Sequence, residues 1–387
     1  MKRLAAILAA MMCLTSCGWF QSPQNQKERN VVLMYIACHN NNLSHYSEDQ
    51  LEEYSRSMLP AHNSKEEIFL VYAHLSGHSP ELCRYSQDSK GTFVKDFIKA
   101  YPADTKSAGA EAISQVLEDV SSLYPAEHFS LVLSSHASNF LPVGYKSEVS
   151  SWDMFSASVQ SFGPDDKVET DLADLRKVLG RYHFDCLMFD CCYMGGIEVC
   201  YELKDVADYI ISSPTEVMGA GMLRGGMIPL LFNSTHREES IISICKSYMS
   251  LVRDKSESYL LSGSVSAVRT AGLEELARQT EAIFSANRDK IASLNISSVQ
   301  NFRGNANFGC LFDFKDFISK IASDTEQSAF SQALDNTVIY CDSTPAFLGY
   351  AIQCCCGLSS YIPQTKRPQL NAYYTSLSWN KAVKLIR

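Results

Sequence analysis

Phe129-Ser-Leu-Val-Leu-Ser-Ser-His136 and Phe184-Asp-Cys-Leu-Met-Phe-Asp-Cys-Cys192 decide how this chain folds. Each is a short apolar run that ends in polar or reactive residues at its carboxyl side. Runs of this kind suit strands buried on both faces, as in parallel sheets. Val31 to Ala37 and Ile68 to Leu75 have the same texture, Leu82 to Tyr85 follows as a pairing partner, and Tyr209 to Ser212 reads as a further strand. Between the strands the spacing turns helical. Ile113, Val116, Leu117 and Val120 recur at helix spacing inside Ser107 to Leu123. Leu43 to Met58, Thr170 to Leu179 and Gly196 to Leu203 also read as helices; Asp171 and Asp174 open the second of these, where carboxylates favour the helix dipole. Buried strands alternating with amphipathic helices predict an α/β fold with a doubly wound, mostly parallel sheet. Reactive groups in such sheets sit just past the carboxyl ends of strands. His136, Cys191 and Cys192 all occupy that position.

Beyond about Phe232 the texture changes. Ser240 to Arg253, Leu273 to Ile291 and Phe314 to Ile321 have helical patterns, whereas Thr337 to Tyr340 and Phe347 to Ile352 read as strands. No Pro/Gly-rich linker and no internal repeat interrupts the chain. The expected organisation is a core over residues 31–235, with residues 236–387 an extension packed on it.

The 387 residues carry a net charge of -9 and no basic cluster, so the chain lacks the gathered Lys and Arg that phosphate neutralisation needs, and nucleic acid is excluded as a partner. At the start, Lys2 and Arg3 precede an apolar run, Leu4 to Leu14, too short for a permanent span. The run ends in Leu14-Thr15-Ser16-Cys17, which resembles a bacterial lipobox. Residues 1–17 are thus expected to be a lipoprotein signal peptide, with Cys17 the lipidated residue, and residues 18–30 a polar tether. The implied location is the bacterial cell envelope, on the periplasmic or cell-surface side, with the membrane reached through that lipid.

Fourteen cysteines invite a disulfide reading, yet their spacing is not that of a stapled scaffold. Cys186 and Cys245 sit in apolar patterns and behave as small hydrophobes. No pair of CxxC motifs exists, so no metal site is expected. The run Cys354-Cys355-Cys356 suggests no chemistry; alternation would turn its middle member away from its neighbours.

A thiol nucleophile needs a base, backbone N–H donors for the oxyanion, and a partner close in space. His136 and Cys192 lie 56 residues apart (192 − 136), each after its own buried strand. On residue types alone nine histidines and fourteen cysteines offer many other pairs. A resemblance supplies the weight. Tyr124 to His136 resembles the histidine block of clostripain-like cysteine peptidases, and Phe189-Asp-Cys-Cys-Tyr-Met-Gly195 is similar to their Asp-Ala-Cys-x-Met block. Glu198 to Leu203, Ser212 to Glu216, Gly219 to Gly221, Tyr35 to Leu43, Gly357 to Pro363 and Tyr373 to Trp379 continue the likeness in order, over roughly residues 31 to 387. That family shares a caspase-like α/β/α sandwich with legumains and gingipains, and its members cleave peptide bonds, often after Arg or Lys.

The resemblance implies Cys192 as nucleophile, with Cys191 its rival, and His136 as the histidine that protonates the leaving amine. It implies an oxyanion site at the N–H groups of Cys192 and Ala137. Two departures stand out. Ala137 replaces the usual Gly, and its Cβ restricts the backbone unless φ is negative. Ala220 stands where relatives of basic preference carry an acid, which leaves Asp190 as the candidate pocket acid and the P1 preference open. These departures motivate an alternative, a catalytically inactive peptidase-like lipoprotein that binds peptides or a surface partner. The segment Gly144 to Lys167 is similar to a loop cut in self-activation, with Lys146 and Lys167 as candidate cut points. Some relatives use calcium, but no Asp-rich loop of EF-hand spacing is present and no cofactor is expected. The expected partner is a peptide or protein substrate, met by a monomer.

Overall fold

The computed structural model describes residues 29–39, 42–143, 145, 162–165, 168–254, 262–302 and 309–387. The leader with Cys17, most of the tether, Lys146 and Lys167 lie outside the described residues.

In chain order the first half comprises β1 (Asn30–Cys38), α1 (Ser44–Ser55), β2 (Glu67–Leu75), β3 (Glu81–Gln87), β4 (Phe93–Ala100), α2 (Ala110–Leu123) and β5 (His128–Ser134). Then come β6 (Phe162–Asp165), β7 (Val168–Thr170), α3 (Leu172–Leu179), β8 (Phe184–Asp190), α4 (Ile197–Glu202) and β9 (Ala207–Ser212). The remainder holds α5 (Arg237–Val252), β10 (Ser264–Arg269), α6 (Leu273–Ala286), α7 (Arg288–Ala292), β11 (Phe312–Asp313), α8 (Phe314–Ile321) and α9 (Asp324–Thr337). It closes with β12 (Val338–Ser343), β13 (Ala346–Phe347), β14 (Tyr350–Ala351), β15 (Ser359–Ser360), α10 (Pro368–Tyr374) and α11 (Ser378–Val383).

Nine strands form one sheet in the order β12-β10-β9-β8-β5-β1-β2-β3-β4. The middle five, β9, β8, β5, β1 and β2, run parallel, and antiparallel pairs finish both sides. The layering follows from the two-residue period of a strand. On β1, Val31, Leu33, Tyr35 and Ala37 join one apolar layer with Ile113, Val116 and Leu117 of α2 and Leu175 of α3. Val32, Met34, Ile36 and Cys38 join the other, with Tyr54 of α1 and Ile241, Ile244 and Tyr248 of α5. Every residue of Val31–Cys38 is fully buried, which is why the run shows no polar alternation. Each large apolar side chain buried this way contributes about 1.5–3 kcal/mol. The result is an α/β/α sandwich on a mostly parallel sheet.

Several elements differ from the sequence reading. Strand β10, Ser-Val-Ser-Ala-Val-Arg, and helix α9 had no element assigned. The stretch Leu273 to Ile291 is two helices, broken at Asn287, whose φ of -119° and ψ of 30° leave the helical region. Phe347 to Ile352 is a tight hairpin, not a strand: Leu348 and Gly349 between β13 and β14 both take positive φ (44° and 89°). Strands β10 and β12 belong to the main sheet, so the chain beyond residue 235 supplies sheet strands as well as covering helices.

Candidate active site

Strands β5 and β8 pair in parallel with Ser134 opposite Asp190. His136 and Cys192 each stand two residues further on, so the register sets them at the same level beyond the sheet. Strand β1 flanks β5 on its other side, with Ile36 opposite Ser134. Its continuation carries Asn42, whose Oδ1 lies 2.9 Å from His136 Nε2. With that oxygen as acceptor, the neutral ring holds its proton on Nε2 and keeps Nδ1 as its basic nitrogen. Burial holds the His136 pKa below its ordinary value and favours that neutral ring. Ser135 Oγ donates to the Ala37 carbonyl at 2.6 Å and ties the histidine turn to β1.

The two neighbouring cysteines part company. Cys191 is 1% exposed, its Sγ points at the Leu133 carbonyl 3.1 Å away, and burial raises its thiol pKa well above the ordinary value. Cys192 turns the other way and is half-buried. The Val217 N–H donates to its Sγ at 3.4 Å, and the thiol faces the Val217 carbonyl at 3.7 Å. The segment after β9 therefore supports the sulfur from the far side.

Two residues with left-handed backbone frame the site, Asn139 (φ 69°) and Tyr193 (φ 63°). Non-glycine residues take that conformation at a cost, and the surroundings must enforce it. Tyr193 is enforced by three bonds: its N–H to the Thr215 carbonyl (2.8 Å), its hydroxyl to Glu216 Oε1 (2.6 Å), and Asn139 Nδ2 to its carbonyl (2.8 Å). Asn139 Nδ2 also reaches Ser359 Oγ at 3.2 Å, and Asn139 Oδ1 accepts from the Phe140 N–H at 2.8 Å. One buried amide thus joins the histidine turn, the cysteine turn and β15. Gly196 permits this, since a Cβ there would fall 2.3 Å from Asn139 Nδ2. Strand β15 completes the brace through Ser359 N–H to the Gly195 carbonyl (2.8 Å).

Ala137 bridges Phe162, and the Gly163 N–H donates to the His136 carbonyl at 2.9 Å. Ala137 is not among the positive-φ residues, so its Cβ is tolerated where a glycine was expected. Asp190 is buried; its Oδ1 accepts from the Met222 N–H (2.6 Å) and its Oδ2 from Gln50 Nε2 (3.1 Å), while burial raises its pKa. These bonds anchor the turn that carries half-buried Ala220. Gly221 (φ 76°) is required there, because a Cβ would sit 2.7 Å from Asp190 Oδ2. Asp190 and Ala220 therefore border one turn, on the same side of the sheet end as Cys192.

Sequence reasoning did not single out Asn42, Asn139, Val217 or Ser359. Asn42 lay inside the Tyr35 to Leu43 block, and Ser359 inside the Gly357 to Pro363 block, so both had a signal. Asn139 and Val217 had none. Among the described residues no group of three or more His, Cys, Asp or Glu side chains is arranged to hold a metal ion.

The model of the clostripain family, Peptidase C11, matches residues 34–384. No curated protein matches. Among solved structures, an inactive zymogen C11 protease from Parabacteroides distasonis is similar with a TM-score of 0.77 and 27% identity, covering 92% of this chain and 99% of its own. A secreted C11 cysteine protease from Bacteroides thetaiotaomicron, in complex with an irreversible peptide inhibitor, aligns with a TM-score of 0.76 and 25% identity over 93% of this chain and 100% of its own. A cysteine protease from B. fragilis reaches 30% identity and a TM-score of 0.52 over 57% of this chain and 96% of its own.

Proposed function

The chain belongs to the clostripain family and is a cysteine-type endopeptidase; we propose that Cys192 is its nucleophile and His136 its proton carrier. In this reading the Cys192 sulfur attacks the scissile carbonyl carbon. The N–H groups of Cys192 and Ala137 hold the oxyanion, and His136 passes the thiol proton to the leaving amine. Water then attacks the thioester carbonyl while His136 takes its proton; the C–S bond breaks, the acid product leaves, and the proton returns to the Cys192 sulfur. One observation carries the reading: two residues past the same register pair, β5 and β8 present His136 and a half-buried Cys192, while Cys191 is sealed inside. Of the two residues that motivate the non-catalytic alternative, Ala137 no longer supports it, since Ala137 needs no positive φ; Ala220 remains.

The finer specificity follows from Ala220 and Asp190. Ala220 offers no charge to a cationic side chain, and Asp190 is committed to the Met222 N–H and Gln50. A desolvated ion pair at P1 is therefore weak, and we read the enzyme as accepting basic and neutral P1 residues with a modest difference between them. A cleavage profile on a peptide library, with Cys192→Ala as the blank, tests both points. Lys or Arg preferred over Leu by about tenfold or less fits this reading; a preference of ~10³ or more contradicts it.

We further read the protein as exported and lipid-anchored at Cys17 in the cell envelope. The support is the charged start, the apolar run and the Leu-Thr-Ser-Cys sequence. The similar Bacteroides thetaiotaomicron protease is described as secreted. Among the described residues no helix is long and apolar enough to cross a membrane. Membrane fractionation of a bacterial host should find the wild type with the membranes and Cys17→Ala released from them; equal partition of both would refute the anchor. We read it further as a monomer that acts on peptide or protein substrates.

A further inference from the structure

Away from the site, four cysteines gather at the β12 side of the sheet. Cys341 lies on β12, and its Sγ is 3.5 Å from Cys355 Sγ and 3.3 Å from the Cys355 carbonyl. The contact arises because Gly357 (φ 88°) lets the chain after β14 press onto β12; a Cβ there would lie 2.9 Å from Ser266 Cβ and 3.1 Å from Cys341 Cβ. The two sulfurs line an open cavity of about 650 Å³ together with Asp313, Lys315, Cys354 and Cys356. Between the two cysteines the chain makes the β13–β14 hairpin, whose Leu348 and Tyr350 are exposed.

We propose that Cys341 and Cys355 are a dithiol–disulfide site that clips the base of this hairpin to β12. The pairing is selective. Cys354 is exposed, whereas Cys356 is directed elsewhere: its thiol faces the Leu358 carbonyl at 3.3 Å and its N–H is bonded to Asp313 at 2.7 Å. Vicinal pairs within 354–356 would strain the backbone. Cys355 is the attacking group. The two sulfurs share a hydrogen bond in which either can donate, and that contact is the main cause holding the Cys355 thiol below its ordinary pKa and the Cys341 thiol above its own.

The oxidant is a small disulfide, or the disulfide of a thiol oxidoreductase, entering by the cavity. The Cys355 thiolate attacks one of its sulfurs and releases one thiolate, leaving a mixed disulfide on Cys355. Cys341 then gives up its proton and attacks the Cys355 sulfur, displacing the second thiolate. Two electrons pass to the oxidant, which leaves as two thiols carrying the two protons. The closed bond removes freedom from the unfolded chain over the hairpin and so raises the melting temperature.

The test uses the full chain treated with glutathione disulfide or with dithiothreitol, then capped with iodoacetamide and mapped by mass spectrometry. No Lys or Arg lies between residues 341 and 355, so chymotrypsin, cutting within the hairpin, is the protease to use. The expected result is a peptide pair linked through Cys341, lost in Cys355→Ser and kept in Cys354→Ser and Cys356→Ser. The oxidised wild type should melt a few degrees above the reduced form, with no such gap in Cys355→Ser. If Cys355→Ser does not fold, the link retained in the other two variants still assigns the pair. Capped Cys341 and Cys355 after oxidation, or a link from Cys341 to residue 354 or 356, overturns the proposal.

Discussion

Replacing Asn139 by Ala should slow catalysis without weakening substrate binding. Its Nδ2 bonds the Tyr193 carbonyl at 2.8 Å and Ser359 Oγ at 3.2 Å, in a fully buried place. Truncation strands the Tyr193 carbonyl, a loss of about 1–3 kcal/mol, and removes the bonds to Ser359 Oγ and from the Phe140 N–H, about 1 kcal/mol each. Stability should therefore fall by about 3–5 kcal/mol. The bonds also fix the turn that follows Cys192 relative to the turn that follows His136. If the two turns part by as little as ~1 Å, the rate falls by about 10²-fold. The assay is kcat and KM on a fluorogenic peptide alongside urea unfolding. We expect kcat down by about 10- to 100-fold, with KM within about threefold. Asn139→Gly separates the two contributions: glycine relieves the left-handed backbone at φ 69° yet still lacks the amide, so it should regain stability but not kcat. A variant that loses stability while keeping kcat within about twofold would reduce Asn139 to a packing role and refute the reasoning.

Glu198 is buried in α4, accepts from the Tyr361 N–H and the Tyr374 hydroxyl (both 2.8 Å), and burial pushes its pKa from 4.5 up to about 7. A folded-state pKa raised in this way means the protonated form stabilises the fold below 4.5, and that stability is lost as pH rises through about 7. The gap corresponds to about 3 kcal/mol. Urea unfolding between pH 4.5 and 8 should show this decline in the wild type and a flatter profile in Glu198→Gln; parallel profiles would contradict it. A protease site introduced within residues 146–161 should yield fragments that stay together on size exclusion, because β5 on one fragment pairs with β8 on the other from Ser130 to Ser134. Fragments that separate in native buffer would show that this pairing does not hold the cut chain.

How much of this was legible depended on burial. Strands β1, β5 and β8 are covered on both faces, so their sequences are continuous apolar runs and stand out. Strand β10 is covered too, but Ser264 and Ser266 are buried polar residues in it, and Ser264 bonds Ser213 and Thr215, so its pattern reads as loop. Strand β4 lies at the sheet edge, and Lys95, Asp96 and Lys99 break its apolar residues into pairs, which hides it for the opposite reason. Helix α9 has weak amphipathicity, yet Ser323 and Glu326 form a capping box that could have marked its start. Within the site, position past a strand end marked His136 and the Cys191-Cys192 doublet, and the family resemblance singled out Cys192 from the doublet. Which member of the cysteine doublet faces out depended on the turn, where Tyr193 reverses to positive φ. Asn139 carried no such mark, since its role exists only when the turn at 193 and the strand at 359 meet it.

Catalysis as proposed needs Cys192 as the reacting sulfur and His136 as its partner. A peptide-based, thiol-reactive inhibitor followed by peptide mapping addresses this directly, in the wild type and in Cys191→Ala, Cys192→Ala and His136→Ala. One adduct is expected, on Cys192, persisting in Cys191→Ala, abolished in Cys192→Ala and strongly slowed in His136→Ala. An adduct on Cys191, or labelling indifferent to His136, would contradict it.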